Sequence, residues 1–600
     1  MVISVISGKD TKMISIYDIG AIVFYFIFMI ALGFVFRKQV SNTSEYFRGG
    51  GKMIWWMGGA SAFMTTFSAW TFTGAAGKAY IDGFAVIWIF VFNIVGYLVC
   101  ARIFAPRFRQ MDVVTPMEAI RQRFGSGTER FYTTIYTVTG LMGGGITLYA
   151  VSIFISAVLG IDVRLSIVIT GLAVVIMTVA GGAWAVVSSD FLQAMLIVGI
   201  SVVTFIAVMN NVDGITDITS NWEGATLWTG HGINIPEVFL LWVGALLIQR
   251  VIDMNNIGQS VRFLCIKDSS QARKAAYLTA FLFAMGSIIW FIPPMWVAST
   301  DAPLAEMYAN LGDKADQAAY LAAVQMLLPV GMVGLVVSAM FSATMSTLDS
   351  RINFVTASFI KSIYKPIINK EATEEQELRA SKITTFVMGM IVILCALFLN
   401  ELKGISLFSM MILFAGLVNI PMMIPQTLCM FVKRIPDWAG WATVVFGFFI
   451  SILSNNVFDA KWVSETLAIP MTGRELGDLG VVITQFMHAV ITVAFFFGTM
   501  LFYKEHVGER KTQVELFFKN QSTPIVSPDG MDESDVMQCR ILGRLTLIFG
   551  GVITMFTLLP NENSFYFAIC GLFIVIIGGL IYKQSLGGVT INQVQPQVEA

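Results

Sequence analysis

The sequence predicts an all-α polytopic membrane protein with about 15 transmembrane helices. Of its 600 residues, 56% are hydrophobic and only 13% are charged, whereas soluble proteins carry about 25% charged residues. Apolar runs such as YDIGAIVFYFIFMIALGFVF exceed the roughly 18 residues that suggest a membrane span. They do not alternate in polarity as barrel strands do. Because a bilayer offers the backbone no hydrogen bonds, these runs are expected to be helices surrounded by lipid.

The predicted spans follow one another along the chain. They lie near residues 16–36, 53–79, 84–106, 131–158, 163–180, 184–209, 235–252, 274–298, 328–350, 382–400, 404–431, 438–456, 480–502, 541–559 and 564–582. If the N-terminus faces outward, 30 of the 38 Lys and Arg residues fall on the cytoplasmic side, as the positive-inside rule favours. An odd number of spans then places the C-terminus in the cytoplasm. The expected location is a bacterial inner membrane.

Several function classes lack their sequence features. The chain contains no GxxxxGK[ST] motif and only three His residues, and its one extended polar stretch, 504–540, is too short for a catalytic domain with its own core. The six Cys residues show neither a disulfide framework nor metal-ligand spacing. Topology accounts for the basic residues, so no nucleic-acid partner is expected. The sequence therefore does not predict an enzyme.

Polar residues concentrate in FSATMSTLDS, residues 341–350, inside an apolar segment. Ser346, Asp349 and Ser350 are spaced i, i+3 and i+4 and share one helix face. Asp190 opens another apolar run, and ionisable residues in spans are costly and usually functional. Their oxygens suit a hard cation such as sodium. Two other interpretations remain: carboxylates solvated at helix ends, and small hydroxyl residues that pack helices together.

The second span, GGASAFMTTFSAWTFTGAAGKAY, combines four glycines with a run of hydroxyl residues at Thr65, Thr66, Ser68, Thr71 and Thr73. This Gly-flanked, hydroxyl-rich pattern is expected of a discontinuous transporter helix, whose unwound backbone offers carbonyls and amides to ligands. The alternative is a continuous helix whose small residues permit close packing.

Over roughly residues 16–450, the chain resembles the sodium/solute symporter family. The resemblance rests on four stretches: SEYFRGGGKMIWWMGGASAFMTTFSAWTFTGAAG, TPMEAIRQRFG, GGAWAVVSSDFLQ and GQSVRFLCIKDSSQARKA. The last departs from the family's Gln-x-x-x-Arg pattern, because only two residues separate Gln259 from Arg262.

The resemblance implies a leucine-transporter-like core of two inverted five-helix repeats. The expected divisions are 1–52 (flanking helix and first cytoplasmic loop), 53–209 (first repeat), 235–431 (second repeat), 432–503 (peripheral helices), 504–540 (cytoplasmic segment) and 541–600 (two peripheral helices and a tail).

The resemblance also implies a sodium ion as cofactor. Its ligands would be the carbonyls of Met64 and Phe67 in broken helix one, the carbonyl of Ala343, and the hydroxyls of Ser346 and Thr347.

A second cation site, present in some relatives, would use Asp190, Ser346, Asp349 and Ser350. The chain departs from the family here, because Asp349 replaces a hydroxyl residue. Two sodium ions, or a proton in place of the second sodium, are both open. Arg351 is a further alternative, since it would neutralise Asp349 and leave no second site.

The family's solute site lies between broken helices one and six. The matching residues are Thr66, Ser68, Trp70, Thr71 and Thr73, with Asn419 and Gln426 in core helix ten as further candidates. Sugar-transporting relatives carry a Glu-Gln pair where this chain has Trp70-Thr71, which disfavours a sugar. The expected solute is an amino acid, an organic acid or a vitamin-like molecule.

Together these features predict a secondary active transporter that couples inward sodium movement to solute uptake by alternating access. Proton-coupled transport on the same fold, a membrane sensor and a channel are the alternatives. A channel would line a continuous pore with polar residues, and a sensor would need a signalling domain that 504–540 is too short to form.

Overall fold

The computed structural model describes residues 15–37, 48–180, 183–402, 407–528, 530–559 and 563–589. These residues form helices and no strand, and an isolated parallel bridge joins Met53 to Ile266. The predicted all-α class is confirmed.

The helices that build the fold are numbered in chain order. The first seven are α1 Ile16–Arg37, α2 Trp55–Thr66, α3 Gly74–Asp82, α4 Ile87–Val99, α5 Pro116–Leu159, α6 Val163–Ala180 and α7 Ala183–Met209. The next eight are α8 Pro236–Met254, α9 Ser269–Ile289, α10 Ile292–Ser299, α11 Ala319–Leu327, α12 Met332–Phe359, α13 Glu374–Glu401, α14 Leu407–Phe414 and α15 Ile420–Leu428. The last six are α16 Ala439–Asn456, α17 Gly473–Met487, α18 Val493–Gly498, α19 Gly508–Ser522, α20 Glu533–Met555 and α21 Phe565–Leu586.

Short helical segments connect or extend these helices. The α-helical ones are Ala105–Gln110, Ile215–Thr219, Thr226–Thr229, Val261–Leu264, Leu304–Met307 and Ala460–Leu467. The 3-10 turns are Gly49–Gly51, Ala69–Phe72, Gly83–Val86, Ile257–Ser260, Ala309–Ala318, Thr499–Phe502 and Phe556–Leu558, and the π-helical ones are Cys100–Phe104, Ile360–Ile368, Ala415–Asn419 and His488–Thr492.

Within the described residues, 11 helical stretches are long and apolar enough to cross a membrane, and two shorter apolar helices lie at 16–32 and 163–176. The chain is thus an integral multi-pass membrane protein. Helix α8 is in neither the long nor the shorter set of apolar helices, because Glu237, Arg250 and Asp253 add charge to it. Helix one, near 53–79, is divided into short halves. The count of about 15 spans stays a prediction.

Two helices begin well before their predicted spans. Helix α5 starts at Pro116, where the Thr115 hydroxyl accepts the Glu118 N–H, and it bends at Gly125 (φ 81°). Helix α13 starts at Glu374, behind a capping box of Thr373 and Gln376. Both starts depend on polar caps, which the apolar criterion used for the spans does not detect.

Helix one is broken, as predicted. Helix α2 ends at Thr66, and Phe67 (φ −102°, ψ 136°) and Ser68 (φ −147°, ψ 172°) are extended. The 3-10 turn Ala69–Phe72 then leads into α3. A second break follows α8, where Asn255 and Asn256 leave the helical conformation. Breaks in corresponding helices are expected for inverted repeats.

The helices of the core pack as two groups. In the first group, α9 packs on α2 and α4, and α8 packs on α4. In the second group, α12 and α13 pack on α5, and α13 also packs on α6. Helix α7 contacts α2 and α12 and so touches both groups. A ligand between α2 and α12 would therefore join the two groups.

The terminal helices pack outside this core. Helix α1 lies along α12, and the Asp18 carboxylate accepts the N–H groups of Gly331 and Gly334, each at 2.8 Å, where α12 begins. Helices α20 and α21 pack as a pair, with α21 against α7. The ring of Phe549 on α20 lies 5.7 Å from that of Phe24 on α1.

Candidate functional site

The hydroxyl of Thr347 lies at the break in helix one. Thr347 Oγ1 is 2.9 Å from the carbonyl oxygen of Phe67, 3.4 Å from that of Met64 and 3.0 Å from that of Ala343. Thr347 is buried. The carbonyls of Met64 and Phe67 face it because α2 ends at Thr66. Four of the five predicted sodium ligands thus meet around one hydroxyl.

The fifth predicted ligand, Ser346, points toward α7 instead. Its hydroxyl donates to Asp190 Oδ1 at 2.5 Å, and the other oxygen of Asp190 accepts a hydrogen bond from Ser61 of α2. Asp190 therefore connects α2, α7 and α12 in the buried interior. Ser346 lies next to the cluster around Thr347 in sequence, and its side chain belongs to the neighbouring cluster around Asp190.

Arg262 lies where a second cation was predicted. Its Nη2 is 3.6 Å from Asp190 Oδ2 and donates to the hydroxyl of Ser350. Its Nε donates to Thr65 Oγ1 at 3.0 Å. The guanidinium group is buried and reaches α2, α7 and α12 from the short helix that follows broken helix six. It supplies a positive charge to Asp190.

Asp349, by contrast, faces α6, where its carboxylate accepts a hydrogen bond from Thr178. The four residues predicted for the second site therefore do not all converge. Among the described residues Arg351 forms no ion pair with Asp349, and its guanidinium lies against Gly143 of α5. The sequence analysis recognised Arg262 only as part of a loop motif and did not assign it to a site. Its position just after a broken helix is the feature from which its role could have been predicted.

Trp70 lies in the unwound stretch of helix one. Its ring stacks between Phe90 of α4, at 6.2 Å, and Phe408 of α14, at 5.7 Å. Its indole Nε1 is buried without a hydrogen-bond partner among the described residues. Since buried donors are nearly always paired, this N–H is suited to a bound solute or a water molecule. Ser68 and Thr71, on either side of Trp70, are also buried.

For three other residues predicted to bind the solute, the structure gives less support. Thr66 and Thr73 donate to carbonyls of their own helical turns, Phe63 and Ala69, each at 3.0 Å. Asn419 is half-buried at the end of the π-helical turn Ala415–Asn419. None of these three residues has a contact among the described residues that assigns it to a solute.

Gln426 ties helix ten to the break in helix six. Its Oε1 accepts the Gly258 N–H at 3.0 Å, and its Nε2 donates to Tyr136 at 2.8 Å, so both ends of its amide already have hydrogen-bond partners in the protein.

Helix six itself contributes buried polar atoms without partners among the described residues, on Gln249, Asp253, Asn255, Asn256 and Ser260. None of these residues was predicted. An Asn-Asn-x-Gly stretch at the end of an apolar run was the available signal.

The fold and this site define a class of protein: a multi-pass membrane transporter with two broken helices and a cluster of oxygen atoms at the first break. Residues 46–445 match the model of the sodium:solute symporter family. The chain belongs to this family. Its relatives are sodium-coupled transporters rather than enzymes.

Named relatives cover most of the chain. The sodium/sialic acid symporter SiaT of Proteus mirabilis is 26% identical over 492 residues, which is 75% of this chain and 91% of that protein. The sodium/sialic acid symporter NanT of Aliivibrio fischeri is 25% identical over 434 residues, 68% of this chain and 81% of the relative. The sodium/myo-inositol cotransporter 2 of Sus scrofa is 24% identical over 483 residues, 73% of this chain and 69% of the relative.

The fold agrees with a solved structure of a Na+-coupled sialic acid symporter in a substrate-bound, outward-open state. The TM-score is 0.59 at 22% identity, over 80% of this chain and 98% of that one. The leucine-transporter-like fold expected from the sequence is thereby confirmed.

Proposed function

We propose that this protein uses the inward sodium gradient to import a small organic solute by alternating access. The observation that carries the proposal is the position of Thr347, whose hydroxyl lies within 3.4 Å of three backbone carbonyl oxygens from α2 and α12. A sodium ion among these oxygens would join the two helix groups. Because its binding favours one arrangement of the groups, it raises the affinity for a solute that prefers the same arrangement.

One sodium ion per cycle is the proposed stoichiometry. Arg262 already offers a positive charge to Asp190 at 3.6 Å and binds Ser350. A second cation at this place would have to displace the guanidinium group. The Thr347 cluster contains no such competing charge among the described residues.

The proposed solute is a small organic acid, bound beside Trp70 between broken helices one and six. Helix α3 begins at the break, and its N-cap residue Thr73 makes no side-chain capping bond. Free amides and the positive end of a half-helix favour an anionic group. Two of the relatives above are named for sialic acid, which is itself an acid. An amino acid or a vitamin-like molecule with a carboxylate fits the same argument.

The proposed orientation has the N-terminus outside and the C-terminus in the cytoplasm of a bacterial inner membrane. The distribution of Lys and Arg between the predicted loops supports it.

Transport by reconstituted protein tests the proposal. Proteoliposomes with an inward sodium gradient should accumulate one solute from a panel of sialic acid, myo-inositol, glucose, amino acids and carboxylic acids. Accumulation should stop when potassium replaces sodium and should weaken in Thr347→Val. Uptake that follows a proton gradient equally well without sodium would reject sodium coupling. Flux faster than about 10³ per second would indicate a channel.

A further inference from the structure

Residues 508–528 and 530–538, called the strap below, cross from one helix group to the other at the predicted cytoplasmic face. They lie outside the matched family region, 46–445. The strap consists of α19, an extended connection and the first turns of α20.

The first end of the strap is bound to the second helix group. Arg510 forms a two-pronged ion pair with Asp437, with Nε–Oδ2 at 2.8 Å and Nη2–Oδ1 at 2.9 Å. Arg510 Nη1 also donates to the carbonyl of Gln122 in α5 at 2.7 Å. Asp437 is held to α5 as well, because its carbonyl accepts the Thr128 hydroxyl at 2.9 Å.

The middle of the strap passes to the first group. Asn520 reaches the carbonyl of Met111, which follows the extension of α4, at 3.5 Å. Ile525 pairs with Ser269 at the start of α9, since its N–H donates to Ser269 Oγ at 3.0 Å and its carbonyl accepts the Ser269 N–H at 3.1 Å.

The far end of the strap holds the start of helix one and the loop after helix six. Lys267 Nζ lies 2.7 Å from Asp532 and 2.8 Å from Asp535. The Gln538 amide accepts the Ile54 N–H at 3.1 Å and donates to the carbonyl of Lys52 at 2.9 Å. Both attachments lie at the predicted cytoplasmic ends of the broken helices that carry the proposed binding sites.

We infer that the strap is a latch that keeps the inner side closed and must release at one end before the solute leaves. Inward opening separates the cytoplasmic ends of the two groups, and the strap is bonded to both. The Arg510 end holds the second group, whereas the middle and the far end both hold the first. Freeing the Arg510 end therefore releases the link between the groups, but freeing the far end leaves the attachments to Met111 and Ser269. The inference rests on the alternating-access function proposed above.

Native Cys265 provides the reporter. It is 1% exposed, and its carbonyl accepts the Met53 N–H at 3.0 Å, beside the attachment of Lys267. With the other five Cys residues changed to Ser, the rate of N-ethylmaleimide labelling in potassium chloride measures opening of this side. The sodium site takes no part in that measurement.

Arg510→Gln is expected to speed labelling about threefold to tenfold, which is the range for a partly exposed, charge-assisted pair. The double variant Asp532→Asn/Asp535→Asn should have a smaller effect, because the strap stays attached to Met111 and Ser269 of the first group. Combining the two should give no more than the larger single effect. Glu505→Gln is the matched control, because Glu505 pairs at 2.9 Å with Lys511, both exposed and outside the attachments, and it should label at the wild-type rate.

The latch is rejected if Arg510→Gln labels like wild type, if Glu505→Gln labels as fast as Arg510→Gln, or if Asp532→Asn/Asp535→Asn labels faster than Arg510→Gln. If Arg510→Gln does not fold, Asp437→Asn breaks the same pair from the other side. Thermal stabilisation by sodium is measured on each variant. A wild-type protein without a sodium response would reject the proposed function, whereas the labelling rates in potassium chloride would still test whether the strap is a latch.

Discussion

Thr347→Val tests the sodium site most directly. The substitution keeps the side-chain shape and removes the hydroxyl that faces the carbonyls of Phe67, Ala343 and Met64. Removing one charge-assisted oxygen contact costs about 1.5–3 kcal/mol, which corresponds to a roughly 10- to 150-fold rise in the sodium Kd at 1.4 kcal/mol per tenfold.

The assay is thermal unfolding of purified protein in sodium and in potassium. At a sodium concentration about 100 times the wild-type Kd, binding stabilises the native state by about 2.7 kcal/mol. A hundredfold weaker site leaves about 0.4 kcal/mol by the same relation. The difference between sodium and potassium separates this effect from the loss of about 1 kcal/mol that the missing hydrogen bonds cause in both salts.

Thr344→Val is the matched control. Thr344 lies on the same helix, is equally buried, and its hydroxyl has no partner among the described residues. It should keep the full sodium increment. The reasoning fails if wild type does not distinguish sodium from potassium, if Thr347→Val keeps the whole increment, or if Thr344→Val loses as much.

Three further outcomes are expected. Because Arg262 compensates Asp190, the sodium dependence of uptake should have a Hill coefficient of about 1, and a value near 2 would indicate a second ion. Burial raises the pKa of Asp316 to about 6, so its ionisation opposes folding: the melting temperature should fall as pH rises from about 4 to about 6.5 and then level off. Asp316→Asn should make that slope less negative and melt higher at neutral pH, and an unchanged slope would contradict the assignment. Asp18→Ala leaves the Gly331 and Gly334 N–H groups unpaired and should lower stability by about 2–4 kcal/mol in thermal unfolding, with the sodium increment unchanged; a wild-type melting temperature would show that the cap is dispensable.

The break in helix one was predicted from a local sequence pattern. Glycines and hydroxyl residues at 58–77 weaken helical continuity within a few residues of themselves, and α2 ends at Thr66 within that stretch. The break after α8 at Asn255 was not assigned to particular residues, because its Asn-Asn pair is short and lies among apolar residues. Helix starts at Pro116 and Glu374 were missed because caps are polar and the search for spans followed apolar runs.

Contacts between residues far apart in the sequence could not be predicted from local patterns. Ser346 and Thr347 are neighbours in sequence, yet one hydroxyl faces Asp190 and the other faces the break in helix one. Asp349 and Ser350 likewise diverge toward Thr178 and Arg262. Helical spacing places such residues within one turn, but the direction of each contact depends on which helices pack alongside.

The sequence alone was sufficient for the membrane class, the resemblance to the family and the position of the first break, because these depend on composition and on residues within a few positions of each other. The choice of Arg262 rather than Arg351 as the buried cation, the turning of Asp349 toward α6 and the route of the strap were decided by tertiary structure. Each joins segments up to several hundred residues apart, such as Ile54 with Gln538. Only the packing of the two helix groups brings those segments together.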